Sequence, residues 1–135
     1  MKILLAYVPS ATAEAAFDYA VSEAKAHDAS LLVLASERAV SGRKAAEVAD
    51  GRPIAERLAE TGVPHELRVV PKRDDPADDI LAAAEDDGVD LVVLGIRKRT
   101  PIGKMLIGST SQRVIMEAPC PVVCVKPEGF SVPRI

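Results

Sequence analysis

The sequence predicts an α/β fold: a doubly wound, five-stranded parallel sheet with helices on both faces. Three observations predict it. Five short apolar segments alternate with segments of helical periodicity, giving the order β-α-β-α-β-α-β-α-β. The first, second, fourth and fifth apolar segments lack strict polar alternation, which marks strands covered on both faces. Aromatic residues make up only 3% of the chain, so Ala, Val, Leu and Ile must fill the interior. At 135 residues the chain has the length of one domain. Right-handed crossovers then wind helices onto both faces, and ligands of such sheets bind at the carboxyl ends of the strands.

The strands are expected at Lys2 to Val8, Ser30 to Ala35, His65 to Val70, Asp90 to Leu94 and Pro121 to Val125. The first helix is expected over Ser10 to Ala26, with Ser10 as its cap. The second runs within Lys44 to Thr61 and stops at Gly62; Pro53 interrupts it, so the helix begins at Arg52 or kinks there. The third runs from Pro76 to Asp87, ahead of Gly88. The fourth runs from Ser109 to Glu117 and stops before Pro119. The domain is assigned to residues 1–127, and residues 128–135, with Gly129 and Pro133, read as an extended C-terminal arm.

Composition excludes several classes of function. No apolar run reaches the ~18 residues of a membrane span. The opening Met1-Lys2-Ile3-Leu4-Leu5 reads as a strand and not as a signal peptide. Seventeen basic against twenty acidic residues give a net charge of −3, which disfavours generic binding to nucleic acid. Two cysteines, Cys120 and Cys124, have no neighbouring ligand cluster and read as small buried side chains. No metal site is expected, and the absence of a disulfide framework points to the cytoplasm.

The loop after the fourth strand carries the most chemistry. It leaves the strand through Gly95, crosses a basic stretch containing Arg97, Lys98, Arg99, Gly103 and Lys104, and enters a helix at Gly108-Ser109-Thr110. Helix N-termini expose N–H groups and a positive dipole end, glycine admits a phosphate to the backbone, and hydroxyls add donors. A phosphate-bearing ligand is one reading. The other is a plain helix start with Ser109 as cap and solvated basic residues around it. The loop lacks a Gly-Lys-Ser or Gly-Lys-Thr phosphate loop, and Val8-Pro9-Ser10-Ala11 lacks the glycines of a dinucleotide fingerprint.

Other candidates are weaker. The acids from Asp74 to Asp90 surround a helix start and end, where they meet the dipole or solvent. Lys126-Pro127 suggests a phospho-accepting receiver domain, but that reading fails for want of acids after the first and third strands. Gly-x-Ser-x-Gly is absent, and His27 and His65 are not placed as bases for a nucleophilic serine. No catalytic residue is assigned.

Three segments resemble the universal stress protein family: Asp90-Leu91-Val92-Val93-Leu94-Gly95, the Gly108-Ser109-Thr110 turn, and the ending Ala118-Pro119-Cys120-Pro121-Val122-Val123-Cys124-Val125-Lys126. The opening Lys2-Ile3-Leu4-Leu5-Ala6 is similar too, so the resemblance covers nearly the whole chain. It implies strand order 3-2-1-4-5 and a homodimer paired through the last strand, here Pro121, Val122, Val123, Cys124 and Val125. It also implies a stress-response regulator or sensor that binds ATP or a related adenine nucleotide, with Mg2+ only if ATP binds. Gly95, Gly108, Ser109 and Thr110 would hold the phosphates; Arg97, Lys98, Gly103 and Lys104 belong to the same loop; Pro9, Ser10 and Ala35 would line the adenosine side. Two positions depart from the family's nucleotide pattern. Lys98 stands at the middle glycine of Gly-x2-Gly-x9-Gly-Ser/Thr, and Val8 stands where nucleotide-binding members carry Asp. The departures keep open a homodimeric interaction protein that has lost nucleotide binding, and a slow ATPase is a third reading.

Overall fold

The computed structural model describes residues 1–7, 11–36, 53–71, 76–96 and 107–126. Within them the strands are β1 (Lys2–Tyr7), β2 (Ser30–Ser36), β3 (His65–Val70), β4 (Leu91–Gly95) and β5 (Val122–Val125). The helices are α1 (Ala11–His27), α2 (Ile54–Thr61), α3 (Ala77–Asp86) and α4 (Ser109–Glu117). The strands form one parallel sheet in the order β3-β2-β1-β4-β5, as the resemblance implies.

The apolar runs divide by parity between two cores, as side-chain alternation requires. Ile3, Leu5, Tyr7, Leu31, Val33, Ala35, Leu91 and Val93 face α1 and α2, where Ala13, Ala16, Phe17, Ala20, Ala24, Ile54 and Leu58 meet them. Leu4, Leu32, Leu34, Val92 and Leu94 face α3 and α4, against Ala77, Ile80, Ala83, Ala84 and Val114. The alanines of α1 let that helix lie close to the sheet, so a core with few aromatics still fills.

Helix ends follow local chemistry with small departures from expectation. Gly62 ends α2 with φ +73°, the left-handed turn that glycine adopts without Cβ strain. Pro53 precedes the first residue of α2 and so starts this helix instead of kinking it. Gly108, not Ser109, caps α4: its carbonyl accepts the first helical bond from the Gln112 N–H at 2.9 Å, while Ser109 is already helical. Pro121 lies just outside β5, having no N–H to give, although its carbonyl still accepts from the Val92 N–H at 3.0 Å. Asp90 precedes β4 and clamps its start to β1. Its carboxylate accepts from the Lys2 N–H, and its own N–H donates to the Lys2 carbonyl, both at 2.8 Å.

The two sheet edges differ. The outer strand β3 carries His65, Glu66 and Arg68. Arg68 donates to Asp87 at the end of α3 (2.7 and 3.1 Å) and to Glu66 (3.0 and 2.7 Å). Those bonds hold the Asp87 carboxyl below its ordinary range. Charged side chains blunt an open edge. The other outer strand, β5, reads Val-Val-Cys-Val and is half-buried along its length.

Candidate functional site

Parallel strands bring their carboxyl ends to one edge of the sheet. Register places Ala35 opposite both Tyr7 and Val69, and Gly95 opposite Val125. Leu5 pairs with Val93, so Tyr7 and Gly95, each two residues further on, stand level across the β1–β4 boundary. The rim therefore reads Val69, Ala35, Tyr7, Gly95, Val125, with the smallest residues on either side of Tyr7. Strand order reverses between β1 and β4, so this boundary is the topological switch point where doubly wound sheets bind ligands.

Past β4, the Ile96 N–H still bonds the Val125 carbonyl at 2.9 Å, extending the ladder by one residue. The chain returns at Ile107 and enters α4 through Gly108. Gly108 has φ −70° and ψ 165°, extended backbone that any residue adopts. The glycine there is not demanded by torsion. Ser109 is exposed and Gly108 and Thr110 are half-buried, so the N-terminus of α4 is accessible. Val114, one turn further on, is fully buried and holds the helix to β4 and its neighbours.

The candidate residues thus fall into three groups. Gly95, Gly108, Ser109 and Thr110 lie at the end of β4 and the start of α4. Ala35 lies on the same rim but is 1% exposed, packed in the core beneath α1. Val8, Pro9, Ser10, Arg97, Lys98, Arg99, Gly103 and Lys104 lie outside the described residues, as do Asp74, Asp75 and the arm at 128–135. Among the described residues, no cluster of three His, Cys, Asp or Glu side chains stands ready to hold a metal ion. Asp78 pairs with Arg113 of α4 at 2.8 Å. His27 ends α1 beside Glu23 (3.1 Å), and His65 opens β3 with Nδ1 2.8 Å from the Val63 carbonyl. Burial pushes both thiols, Cys120 and Cys124, above their ordinary value.

One polar cluster at this rim was not singled out by sequence reasoning. Arg57 of α2 is only 6% exposed. It grips Glu14, in the first turn of α1, through two parallel hydrogen bonds, Nη1 to Oε1 at 2.7 Å and Nη2 to Oε2. Its guanidinium lies over the Phe17 ring, 4.4 Å from the centroid, and donates to the Tyr7 hydroxyl. Burial pushes the Tyr7 phenol above its ordinary value; Arg57 opposes the rise and Glu14 adds to it. The available signal was helical spacing: Arg57 shares the inward face of α2 with Ile54 and Leu58.

Comparison with known proteins agrees with this architecture. The family model described as the universal stress protein family matches residues 1–126. A universal stress protein of Mycolicibacterium smegmatis is 38% identical over 133 residues, spanning 95% of this chain and 99% of that protein. A universal stress protein from Archaeoglobus fulgidus superposes with a TM-score of 0.72 at 30% identity, covering 93% of this chain and 98% of its own. A structure from Archaeoglobus fulgidus described as a universal stress protein in complex with dAMP gives 0.68 at 26% identity, with coverage of 93% and 98%. With its sheet order, its paired cores and a family match from Met1 to Lys126, the chain belongs to the universal stress protein family.

Proposed function

We propose that this protein is a stress-response regulator that binds an adenine nucleotide at the carboxyl rim, between the end of β4 and the start of α4. The observation that carries the reading is Gly108. Its backbone needs no glycine, yet a glycine stands where the helix N-terminus faces the rim. A missing Cβ there lets phosphate oxygens approach the first N–H groups of α4, and the Ser109 and Thr110 hydroxyls add donors. Gly95 keeps the neighbouring rim low beside Tyr7. The dAMP complex of the Archaeoglobus fulgidus relative supports the ligand class. ATP is the expected ligand, with Mg2+ arriving on its phosphates; Arg97, Lys98, Gly103 and Lys104 supply the remainder of the phosphate loop, and Pro9, Ser10 and Ala35 the adenosine side. The test is to denature purified protein, assay released nucleotide, and follow thermal stability with millimolar ATP. Ligand at ~100 times its Kd stabilises by about 2.7 kcal/mol, a readily measured shift. No released nucleotide together with no ATP-dependent shift would falsify the reading, and the departures at Val8 and Lys98 would then stand as its explanation.

A second reading concerns assembly. The charged edge at β3 and the apolar edge at β5 favour a homodimer joined through β5, with residues Pro121 to Val125 at its centre. Sedimentation of the parent chain and of Val123→Lys tests this. The parent should sediment as a dimer and the variant as a monomer; a monomeric parent at high micromolar concentration sinks the idea.

A further inference from the structure

We propose that Arg57 is the positioning residue of the candidate nucleotide site: its guanidinium ties the end of β1 to the first turn of α1 and thereby fixes the rim at Tyr7 and Ala35, the adenosine side. The inference rests on the nucleotide-binding reading above. Tyr7 is the last residue of β1, and Glu14 lies in the first turn of α1. One side chain from a third element, α2, bonds both of them and is itself stacked on Phe17.

Docking of α2 alone does not explain this arrangement. Ile54 and Leu58 are 2% and 0% exposed and already anchor the helix to the sheet. A buried ion pair is a poor way to add stability, because desolvation of both charges offsets their attraction, and an apolar residue of similar volume does as well or better. What a guanidinium adds is direction. Its planar fork fixes a carboxylate in two bonds and leaves a further N–H for the phenol. The cluster also stands at the rim where ligands of this sheet type bind.

Hydrogen exchange and binding measurements on the full chain test the proposal. In Arg57→Met, which keeps the packing and removes the fork, amides of the first two turns of α1, residues 11–17, should exchange about tenfold faster while those of α3 stay unchanged. Affinity for ATP should fall about tenfold. Affinity for inorganic tripolyphosphate, which probes the phosphate side alone, should stay within about twofold. Unchanged exchange at residues 11–17 overturns the proposal, as does an equal loss for both ligands or no loss for either. If Arg57→Met does not fold, Glu14→Gln carries the same measurements, since it keeps the shape of the pair and removes its charge. A parent protein that binds neither ATP nor tripolyphosphate defeats the nucleotide reading, and the exchange measurement then decides by itself whether Arg57 ties α1 to β1.

Discussion

Helix α4 carries Gly108, Ser109 and Thr110 to the rim, so its attachment should govern both stability and binding. Among its described residues Val114 is the one fully buried, in the core shared with Leu4, Val92, Leu94 and α3. Val114→Ala removes two methyl-sized groups, about 1.6 kcal/mol at roughly 0.8 kcal/mol each. A residual void of roughly 40 Å3 adds about 1 kcal/mol at ~24 cal/mol per Å3, less where neighbours close in. The expected loss is about 1.6–2.6 kcal/mol. For a domain of this size that lowers Tm by roughly 5–10 °C. The Arg113–Asp78 bridge does not compensate, because both side chains are substantially exposed and such pairs contribute ~1 kcal/mol at most. Urea denaturation with the parent and with Gln112→Ala, an exposed position on the same helix, reads the effect; the control should change by less than about 0.5 kcal/mol. ATP affinity measured below the transition should fall in Val114→Ala alone. A loss below about 0.5 kcal/mol, or an equal loss in the control, refutes the claim that one side chain seats this helix.

Two further outcomes follow from backbone and charge. Gly62→Ala meets no steric neighbour, since nothing lies within 4 Å of the added Cβ, yet φ +73° should make it cost about 1–2 kcal/mol in urea denaturation. No measurable loss would show that the turn relaxes to another conformation. Asp87 is held below its ordinary 3.8 by hydrogen bonds from Arg68, so its contribution is present above that value and disappears as pH falls through the folded-state value. Asp87→Asn should therefore lower Tm at neutral pH and converge with the parent toward pH 2; curves that stay parallel across the acid range reject the assignment.

The fold was legible because both of its signals are local. Continuous apolar runs such as Leu31 to Ala35 have no polar face to present to water, and only a sheet covered on both sides accommodates them. Gly62 and Pro53 punctuate α2 by torsion and by the missing donor, which any tertiary context must respect. Strand order came from resemblance and not from periodicity, because local pattern says nothing about which parallel neighbours pair. The rim at Gly95 and Gly108 was legible as a glycine-bearing strand exit and helix entry. The Arg57 cluster was not. It joins residues 43 positions apart, and although helical spacing puts Arg57 on the face of Ile54 and Leu58, nothing local names Glu14 as its partner.

Among the described residues, neither the histidines nor Glu14 stand as a general base at this rim. A general base must reach its proton within hydrogen-bond distance, directly or through one water. His65 opens β3 and His27 closes α1, which puts both at the amino edge of the sheet, opposite Gly95 and the start of α4. Glu14, whose α1 turn is nearest the end of β1, is occupied by the Arg57 fork; withdrawing it to serve as a base would leave a guanidinium that is 6% exposed without its counter-charge. Cys124 lies closer to the carboxyl edge, but burial keeps its thiol protonated at neutral pH and therefore a poor nucleophile. Among the described residues, the start of α4 brings its N–H groups, Ser109 and Thr110 to the rim, and such groups can donate hydrogen bonds to an anion. Under the proposed function, a site made of such donors would hold a phosphate group in its ground state.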